Sequence, residues 1–240
     1  MAKVSSVVRT PEILALIAFR DEERLLPGFF SHLRDYVDGF IGFNDCSTDR
    51  SAEIARAEPK MVELLERHVP SADHFFESQN RAELLAAARK HSARWVLCCD
   101  ADERYETRFL EDLRELIRNP PAQVMGLSWV AVWESLGHYK MGKSFKYVLF
   151  PSVEPRPYYP SGRLHEPWYP RGLAGAPKQI LDYRIYHLGS LTRKDRLERY
   201  AKFSRIDPKL KFQPQGYKHL IEESNIVVAP IPPERAFRCG

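Results

Sequence analysis

Trp95-Val-Leu-Cys-Cys-Asp-Ala-Asp-Glu103 places five apolar residues directly before an Asp-x-Asp pair. A short apolar run of this kind is typical of a strand buried on both faces, as in a parallel sheet. In an extended segment, residues two apart point to the same side, so Asp100 and Asp102 can converge on one cation. A divalent ion held by one or two carboxylates keeps positions for phosphate oxygens. This stretch therefore predicts a metal site at the end of a buried strand.

Strand and helix patterns alternate over residues 13–117, on both sides of this stretch. Apolar runs predict three further strands, at Ile13–Phe19, Phe40–Phe43 and Met61–Leu65. Apolar residues at helical spacing lie among and after them, for example from Leu25 to Val37 and from Phe109 to Ile117. Such alternation predicts an α/β fold with a mostly parallel central sheet and helices on both faces.

Three polar clusters directly follow predicted strands: Arg20–Glu23, Asn44–Asp49 and Asp100–Glu103. In open parallel sheets, ligands bind beyond the carboxyl ends of the strands, where these clusters would meet. A carboxylate at that edge can accept hydrogen bonds from a nucleotide base or a ribose hydroxyl. The clusters therefore predict one ligand pocket at the sheet edge.

The second half of the chain follows a different pattern. Val124–Trp133 and Ile180–His187 read as strands. The segment 139–177 between them is rich in proline, glycine and aromatic residues, which predicts irregular structure. After the second strand, Thr192 and Asp195 form a capping pair that predicts the start of a helix. Leu197 is expected on the buried face of that helix, and lysine and arginine on its other faces.

Charge is unevenly distributed along the 240 residues. Residues 1–120 contain 17 lysines and arginines against 22 aspartates and glutamates, whereas residues 121–240 contain 19 against 10. An acidic half suited to a metal would thus face a basic half suited to an anionic acceptor or a membrane surface. The acidic first half argues against extended contact with nucleic acid.

The composition, with 44% hydrophobic and 28% charged residues, is that of a globular protein. No apolar run reaches the roughly 20 residues that a bilayer span needs, and residues 1–10 lack the apolar core of a signal peptide. We therefore expect a cytoplasmic protein, whose basic second half would allow peripheral contact with the inner face of a membrane.

Three motifs resemble, in order and spacing, those of family 2 glycosyltransferases: Ile17-Ala-Phe-Arg-Asp-Glu-Glu23, Asn44-Asp-Cys-Ser-Thr-Asp49 and Cys99-Asp-Ala-Asp-Glu103. The resemblance covers residues 10–120. It extends more loosely through Arg163-Leu-His-Glu166 and Tyr186-His-Leu-Gly189, which look like the subgroup that glycosylates lipopolysaccharide cores and related glycans. It implies a metal-dependent, inverting enzyme that moves a sugar from a nucleotide-sugar donor to a glycan, lipid-linked or other hydroxyl acceptor.

The resemblance also implies a GT-A fold, which is a Rossmann-like architecture. Residues 1–240 would form a single GT-A domain. Within it, residues 1–120 would be the half that binds the donor. Residues 121–240 would be an irregular, aromatic-rich half that binds the acceptor and ends in a helix and an extended tail.

Individual positions acquire roles from this resemblance. The nucleotide would be contacted by residues of the motifs and by one helical arginine: Phe19, Arg20, Glu22, Asp45, Arg81, Asp100 and Ala101. Of these, Asp45 would bind the base and Asp100 the ribose or the metal. The metal, Mn²⁺ or Mg²⁺, would be held by Asp100, Asp102 and His187. The donor would be a UDP-, GDP- or dTDP-sugar, and Asn44, where many relatives have aspartate, leaves the base open.

Inverting transfer needs a carboxylate that deprotonates the acceptor hydroxyl. The sequence favours Glu166, which lies among aromatic residues of the acceptor half, with Glu103 and Glu134 as alternatives. Aromatic side chains with a polar tip suit stacking on sugar rings, and Trp168 is the foremost candidate for such a contact.

Two other functions fit parts of the sequence. A nucleotidyltransferase acting on sugar phosphates also pairs a nucleotide pocket with a metal, but it would usually carry a glycine-rich phosphate loop, which Ala18-Phe-Arg-Asp21 lacks. A non-catalytic membrane-surface binding module would use the basic helix from Arg193 to Arg205. Such a module would bind liposomes in a salt-dependent manner without turning over a nucleotide-sugar.

Overall fold

The computed structural model describes residues 10–67, 77–154, 167–224 and 226–238. The strands in these ranges are β1 (Ile13–Phe19), β2 (Gly39–Asp45), β3 (Met61–Arg67), β4 (Trp95–Cys99), β5 (Glu103–Tyr105), β6 (Val124–Trp133), β7 (Ser135–Lys140), β8 (Phe145–Pro151), β9 (Lys178–His187) and β10 (Val228–Pro230). The helices are α1 (Leu26–Leu33), α2 (Ser51–Arg56), α3 (Glu77–Lys90), α4 (Thr107–Arg118) and α5 (Arg193–Ile206). Across the described ranges, none of the helices has both the length and the apolar character that a bilayer crossing requires.

Four parallel strands form one end of the sheet, in the order β4-β1-β2-β3, with β3 at its edge. Beyond β4 the sheet continues through β8, β6, β7 and β10, all with antiparallel neighbours along this path. β9 pairs in parallel with β6 and holds the short strand β5 on its other side. The predicted class is therefore confirmed: a mixed α/β fold with a central, mostly parallel sheet. Because the four parallel strands end at one edge, the three polar clusters emerge side by side.

The two faces of β1 enter two different hydrophobic cores. Ile13, Ala15 and Ile17 pack in the core that includes α1 and α4, whereas Leu14 and Leu16 pack in the core that includes α3. All five residues are at most 1% exposed. A strand covered on both faces must be apolar throughout, which explains the uninterrupted run from which β1 was predicted.

Segment 139–177 differs most from the structure that the sequence predicts. This segment was expected to be irregular, but it contains β8, which runs antiparallel between β4 and β6 in the interior of the sheet. Val148, Leu149 and Phe150 are buried there to 1% exposure or less. The short apolar run at its end was obscured by the surrounding turn-forming residues, and its pairing is set only by strands that are distant in sequence.

The start of α5 follows the prediction, but its buried face does not. Thr192 and Asp195 form the expected reciprocal capping box. Leu197, expected on the buried face, is 45% exposed, whereas Arg196 is 1% exposed. The Arg196 guanidinium lies 3.9 Å from the Trp133 ring centroid and 2.6 Å from a carboxylate oxygen of Glu134. A paired arginine can therefore anchor this helix where the apolar pattern predicted leucine.

Candidate active site

The loop after β2 holds the loop after β1 in place. The backbone N–H groups of Asp21, Glu22 and Glu23 donate to side chains of this second loop and of the first residue of α2 at 3.1, 2.7 and 3.0 Å, namely those of Ser47, Ser51 and Asp49. Asp21 has a positive φ of 56°, a conformation that aspartate tolerates better than most residues. The hydroxyl and carboxylate residues of the second motif therefore fix the shape of the first motif.

Asp45 ends β2 inside a buried polar network. One carboxylate oxygen accepts from Arg67 at 3.0 Å and the other from Asn80 at 3.4 Å. Arg67 also donates to the side-chain oxygen of Asn80 at 2.9 Å, and its guanidinium lies 5.1 Å from the Phe43 ring centroid. The network fixes the Asp45 carboxylate with lone pairs to spare, because a carboxylate can accept about four hydrogen bonds.

Arg81 lies on α3 at the side of the same cleft. Its guanidinium lies 4.3 Å from the Trp168 ring centroid, and the Lys146 ammonium lies 5.3 Å from that centroid. Trp168 itself is only 4% exposed. Cations therefore contact the ring that was expected to stack on a sugar, and the indole packs mainly as part of the core.

Lys146, on β8, draws together the two ends of the Asp-Ala-Asp-Glu motif. Its Nζ donates to Asp100 Oδ2 at 2.6 Å and to both carboxylate oxygens of Glu103 at 2.8 Å. Burial would lower the pKa of Lys146, but the two carboxylates raise it, so the lysine is charged. Burial raises the pKa of Glu103 above its usual range despite the ammonium beside it.

The expected three-ligand metal site is therefore not formed as predicted. Among the described residues, no three carboxylate, imidazole or thiol groups gather to hold an ion. The prediction assumed that Asp100 and Asp102 lie on an extended strand, but β4 ends at Cys99 and the next residues form a turn. Side chains two apart do not share a side in a turn, and Asp100 is engaged by Lys146 instead.

Asp102 and His187 do meet. The pairing of β5 with β9 sets Glu103 opposite His187, and the Leu188 N–H donates to the Asp102 carbonyl at 2.7 Å. As a result, His187 Nε2 lies 2.8 Å from Asp102 Oδ2. The guanidinium of Arg199, on α5, joins the pair, with Nη1 3.2 Å from Asp102 Oδ2 and 2.7 Å from His187 Nε2.

The protonation states of this pair suit a divalent cation. Burial lowers the pKa of His187 despite the Asp102 carboxylate, so the ring is neutral and keeps a lone pair. Burial alone would raise the pKa of Asp102, but the hydrogen bond from His187 and the positive charge of Arg199 keep it well below its usual range. One carboxylate and one neutral imidazole are donor types that Mn²⁺ accepts, so Asp102 and His187 would be able to hold such an ion.

Glu22 is the third acidic group at this point of the cleft. Burial, followed by the negative charge of Asp102, raises its pKa to about 8, although Lys202 and Arg199 act in the opposite direction. The carboxyl is therefore protonated at neutral pH and can donate a hydrogen bond into the cleft.

The residues predicted to bind the nucleotide and the metal all line one cleft of about 960 Å³: Phe19, Arg20, Glu22, Asp45, Arg81, Asp100, Ala101, Asp102 and His187. Sequence reasoning gave no role in the site to Arg67 or Arg199, which come from the end of β3 and from α5. Only Arg67 had a usable signal, since it lies two residues beyond the predicted strand Met61–Leu65, at the same sheet edge.

The carboxylates proposed as catalytic base have different surroundings. Glu166 lies outside the described residues. Glu103 has no exposed side-chain surface and accepts from Lys146, from Trp129 Nε1 at 3.1 Å and from the Asp100 N–H at 3.0 Å. Glu134 is paired with Arg196 and is not among the residues that line the cleft. The geometry of neither alternative suits proton abstraction from an acceptor, because Glu103 is enclosed by donors and Glu134 lies away from the cleft.

The chain is similar to known proteins in sequence and in fold. A family model described as "Glycosyl transferase family 2" matches residues 15–181, which is more than half of the chain. The fold resembles that of residues 1–349 of Staphylococcus aureus TarS, with a TM-score of 0.52 and 12% identity over 88% of this chain and 69% of that chain. A TarS complex with UDP-GlcNAc is similar to the same extent, with a TM-score of 0.52 and 12% identity over 88% of this chain and 71% of that chain. At this identity the likeness concerns the fold alone.

One curated relative is similar in sequence. A TPR repeat-containing protein of Synechococcus elongatus is 35% identical over 104 residues, which are 43% of this chain and 23% of that protein. The chain therefore spans less than a quarter of the length of this relative.

Proposed function

The chain belongs to glycosyl transferase family 2, and from this we propose that its cleft transfers a sugar from a metal-bound nucleotide-sugar to a hydroxyl acceptor. The observation that carries the proposal is the convergence of Asp45, Asp100 and Asp102 on one cleft together with basic side chains. Three carboxylates on separate surfaces could not serve one ligand. Membership of this family favours a glycosyltransferase over a nucleotidyltransferase or a non-catalytic module.

The donor would lie along the ends of the parallel strands. Asp45, held by Arg67 and Asn80, offers acceptors to the N–H groups of a base, and Arg81 flanks the same region. Further along the cleft, Asp102 and His187 would hold Mn²⁺ or Mg²⁺, which when bound would stabilise negative charge on the diphosphate. We propose a UDP-sugar as the first donor to test, since the UDP-GlcNAc complex of TarS shares this fold.

Basic side chains of the cleft would stabilise the leaving diphosphate. Negative charge grows on the diphosphate as its bond to the sugar breaks, and pre-positioned cations act most strongly where water is excluded. Lys146 is held in place by Asp100 and Glu103 before any ligand arrives. Such pre-organisation avoids reorganisation during the reaction.

Glu166 remains the proposed catalytic base of an inverting reaction. Of the two alternatives, Glu103 is enclosed by hydrogen-bond donors and Glu134 does not line the cleft. A base on the acceptor side of the cleft would remove the hydroxyl proton while the sugar carbon is attacked from the face opposite the diphosphate.

The acceptor would bind against the C-terminal wall of the cleft. This wall contains polar and aromatic side chains from α5 and the segment after it: Lys202, Phe203, Gln213, Tyr217 and His219. We propose a glycan of the lipopolysaccharide-core type or another lipid-linked acceptor. Lys194, 79% exposed on α5, is available for contact with an anionic membrane surface, whereas Arg196 is committed to the interior.

A thermal-shift screen tests the proposed donor site. UDP-, GDP-, CDP- and dTDP-sugars would be added with and without Mn²⁺, because a ligand of the folded state raises its apparent stability. We expect one nucleotide class to raise Tm only when Mn²⁺ is present, and Asp102→Ala to abolish that shift. A shift of equal size in Asp102→Ala, or in the absence of metal, would contradict the metal-bound donor.

A further inference from the structure

Three groups compete for one position in the cleft. Asp102 Oδ2, His187 Nε2 and Arg199 Nη1 lie within 2.7 to 3.2 Å of one another. A neutral imidazole nitrogen either donates or accepts, so His187 Nε2 cannot donate to Asp102 and accept from Arg199 at the same time. The guanidinium therefore lies where a cation would contact the carboxylate oxygen and the imidazole nitrogen together.

Gly189 makes room for this cluster. A Cβ at that position would overlap Asp102 Oδ2, and it would lie 2.6 Å from Arg199 Nη1 and 2.8 Å from His187 Cε1. The backbone thus approaches the three groups more closely than any other residue type allows. The cluster is a built pocket for a cation, lined by the main chain on one side.

The guanidinium fits this pocket only in part. Of the groups in the described ranges, none is a hydrogen-bond partner for the buried Nε of Arg199 or for the buried Nδ1 of His187. A buried donor without a hydrogen-bond partner destabilises the arrangement that holds it. Arg199 therefore neutralises the charge of Asp102, but two buried nitrogen atoms of the cluster lack hydrogen bonds. Arg199 is 27% exposed in its side chain, so its head group can leave by rotating about its own bonds.

We propose that Arg199 is the resident counter-cation of the metal site and competes with the divalent ion for Asp102 and His187. In the donor-free cleft the guanidinium neutralises Asp102 and keeps both ligands in place. When the metal arrives with a nucleoside diphosphate, the arginine leaves the two ligands and pairs with the phosphate oxygens. This inference rests on the proposed function, and it makes metal binding strongest in the presence of the donor.

Mn²⁺ binding without nucleotide tests the competition directly. The free Mn²⁺ signal in electron paramagnetic resonance would be titrated against wild type, Arg199→Gln and Arg199→Lys. We expect Arg199→Gln to bind Mn²⁺ about tenfold more tightly, the effect of removing one neighbouring like charge. Arg199→Lys, which retains the charge, is expected to lie close to wild type. Circular dichroism and unfolding curves confirm that each variant is folded.

Lys194→Gln is the matched control, since it removes one positive charge from an exposed position of the same helix. Its Mn²⁺ affinity should equal that of wild type. Equal or weaker Mn²⁺ binding by folded Arg199→Gln would overturn the inference, and so would a complete lack of Mn²⁺ binding in all variants. Nucleotide-sugar turnover by wild type is measured separately and tests the proposed function. A failure of the proposed function can therefore be distinguished from a failure of the competition between Arg199 and the metal.

Discussion

Lys146 Nζ lies 2.6 Å from Asp100 Oδ2, although 46 residues separate the two in sequence. The same ammonium contacts the fully buried Glu103. The carboxylates of the Asp-Ala-Asp-Glu motif therefore have two different sets of partners. The outer carboxylates hold a lysine in the cleft, while Asp102 faces His187 and Arg199. This division leads to the first prediction.

Lys146→Met should destabilise the protein by about 3 kcal/mol, because it leaves the buried carboxylate of Glu103 without its cation. The measurement is chemical denaturation at pH 8. Adding Glu103→Gln in the same chain should recover part of the loss, since the remaining buried group is then neutral. Lys143→Met, at an exposed position three residues earlier, is the control and should change stability little. Equal losses at both lysines would contradict a specific role for Lys146.

Asp45→Asn should weaken binding of the nucleotide by roughly 10- to 100-fold, the range expected for loss of a charge-assisted hydrogen bond. Isothermal titration with UDP and Mn²⁺ measures the change. Asp38→Asn is a suitable control, because Asp38 pairs with Arg114 and does not line the cleft. Unchanged UDP affinity in Asp45→Asn would remove Asp45 from the donor site.

Glu166→Gln should retain binding of the donor but reduce transfer by about 10²- to 10⁴-fold, the usual contribution of a general base. Donor binding is followed by the thermal shift and transfer by product formation under saturating donor. Normal turnover in this variant would exclude Glu166 as the base. Loss of both readouts would instead indicate that the residue supports the donor site.

His32 should make stability depend on pH between about 4 and 6.5. Its Nδ1 donates to the Arg238 carbonyl at 2.9 Å, and its Nε2 accepts from the Tyr105 N–H at 2.8 Å, so the buried ring is neutral. Burial, aided by Arg104, lowers its pKa to about 4. Between that value and the unfolded pKa, the unfolded chain binds the proton more tightly, so stability falls as the pH falls, by up to about 3 kcal/mol.

Comparing unfolding curves of wild type and His32→Gln between pH 4 and 7.5 isolates this contribution. The variant should lose less stability on acidification, because glutamine does not titrate. His138→Gln, at an exposed histidine, should show the same pH dependence as wild type. Parallel curves for wild type and His32→Gln would show that His32 does not govern acid stability.

Most strands within residues 1–120 could be predicted from the local sequence pattern. β1 and β4 are uninterrupted apolar runs, and a strand buried on both faces has no other composition available to it. Asp45 and Asp102 then reach one cleft because parallel strands end at a common edge. Within residues 121–240, β8 was missed because its apolar residues lie among prolines and aromatic residues. The local sequence pattern also does not reveal which strand pairs with it.

The sequence by itself determined the parallel strands, the edge at which their polar residues emerge and the membership of the family. The tertiary structure alone decided which charges meet there. Lys146 reaches Asp100 because β8 pairs with β4, and Arg199 reaches Asp102 because α5 packs against the end of β9. Apolar periodicity predicts which face of a helix or strand is buried, but it does not predict which distant element packs against that face. A long-range ion pair depends on that second partner.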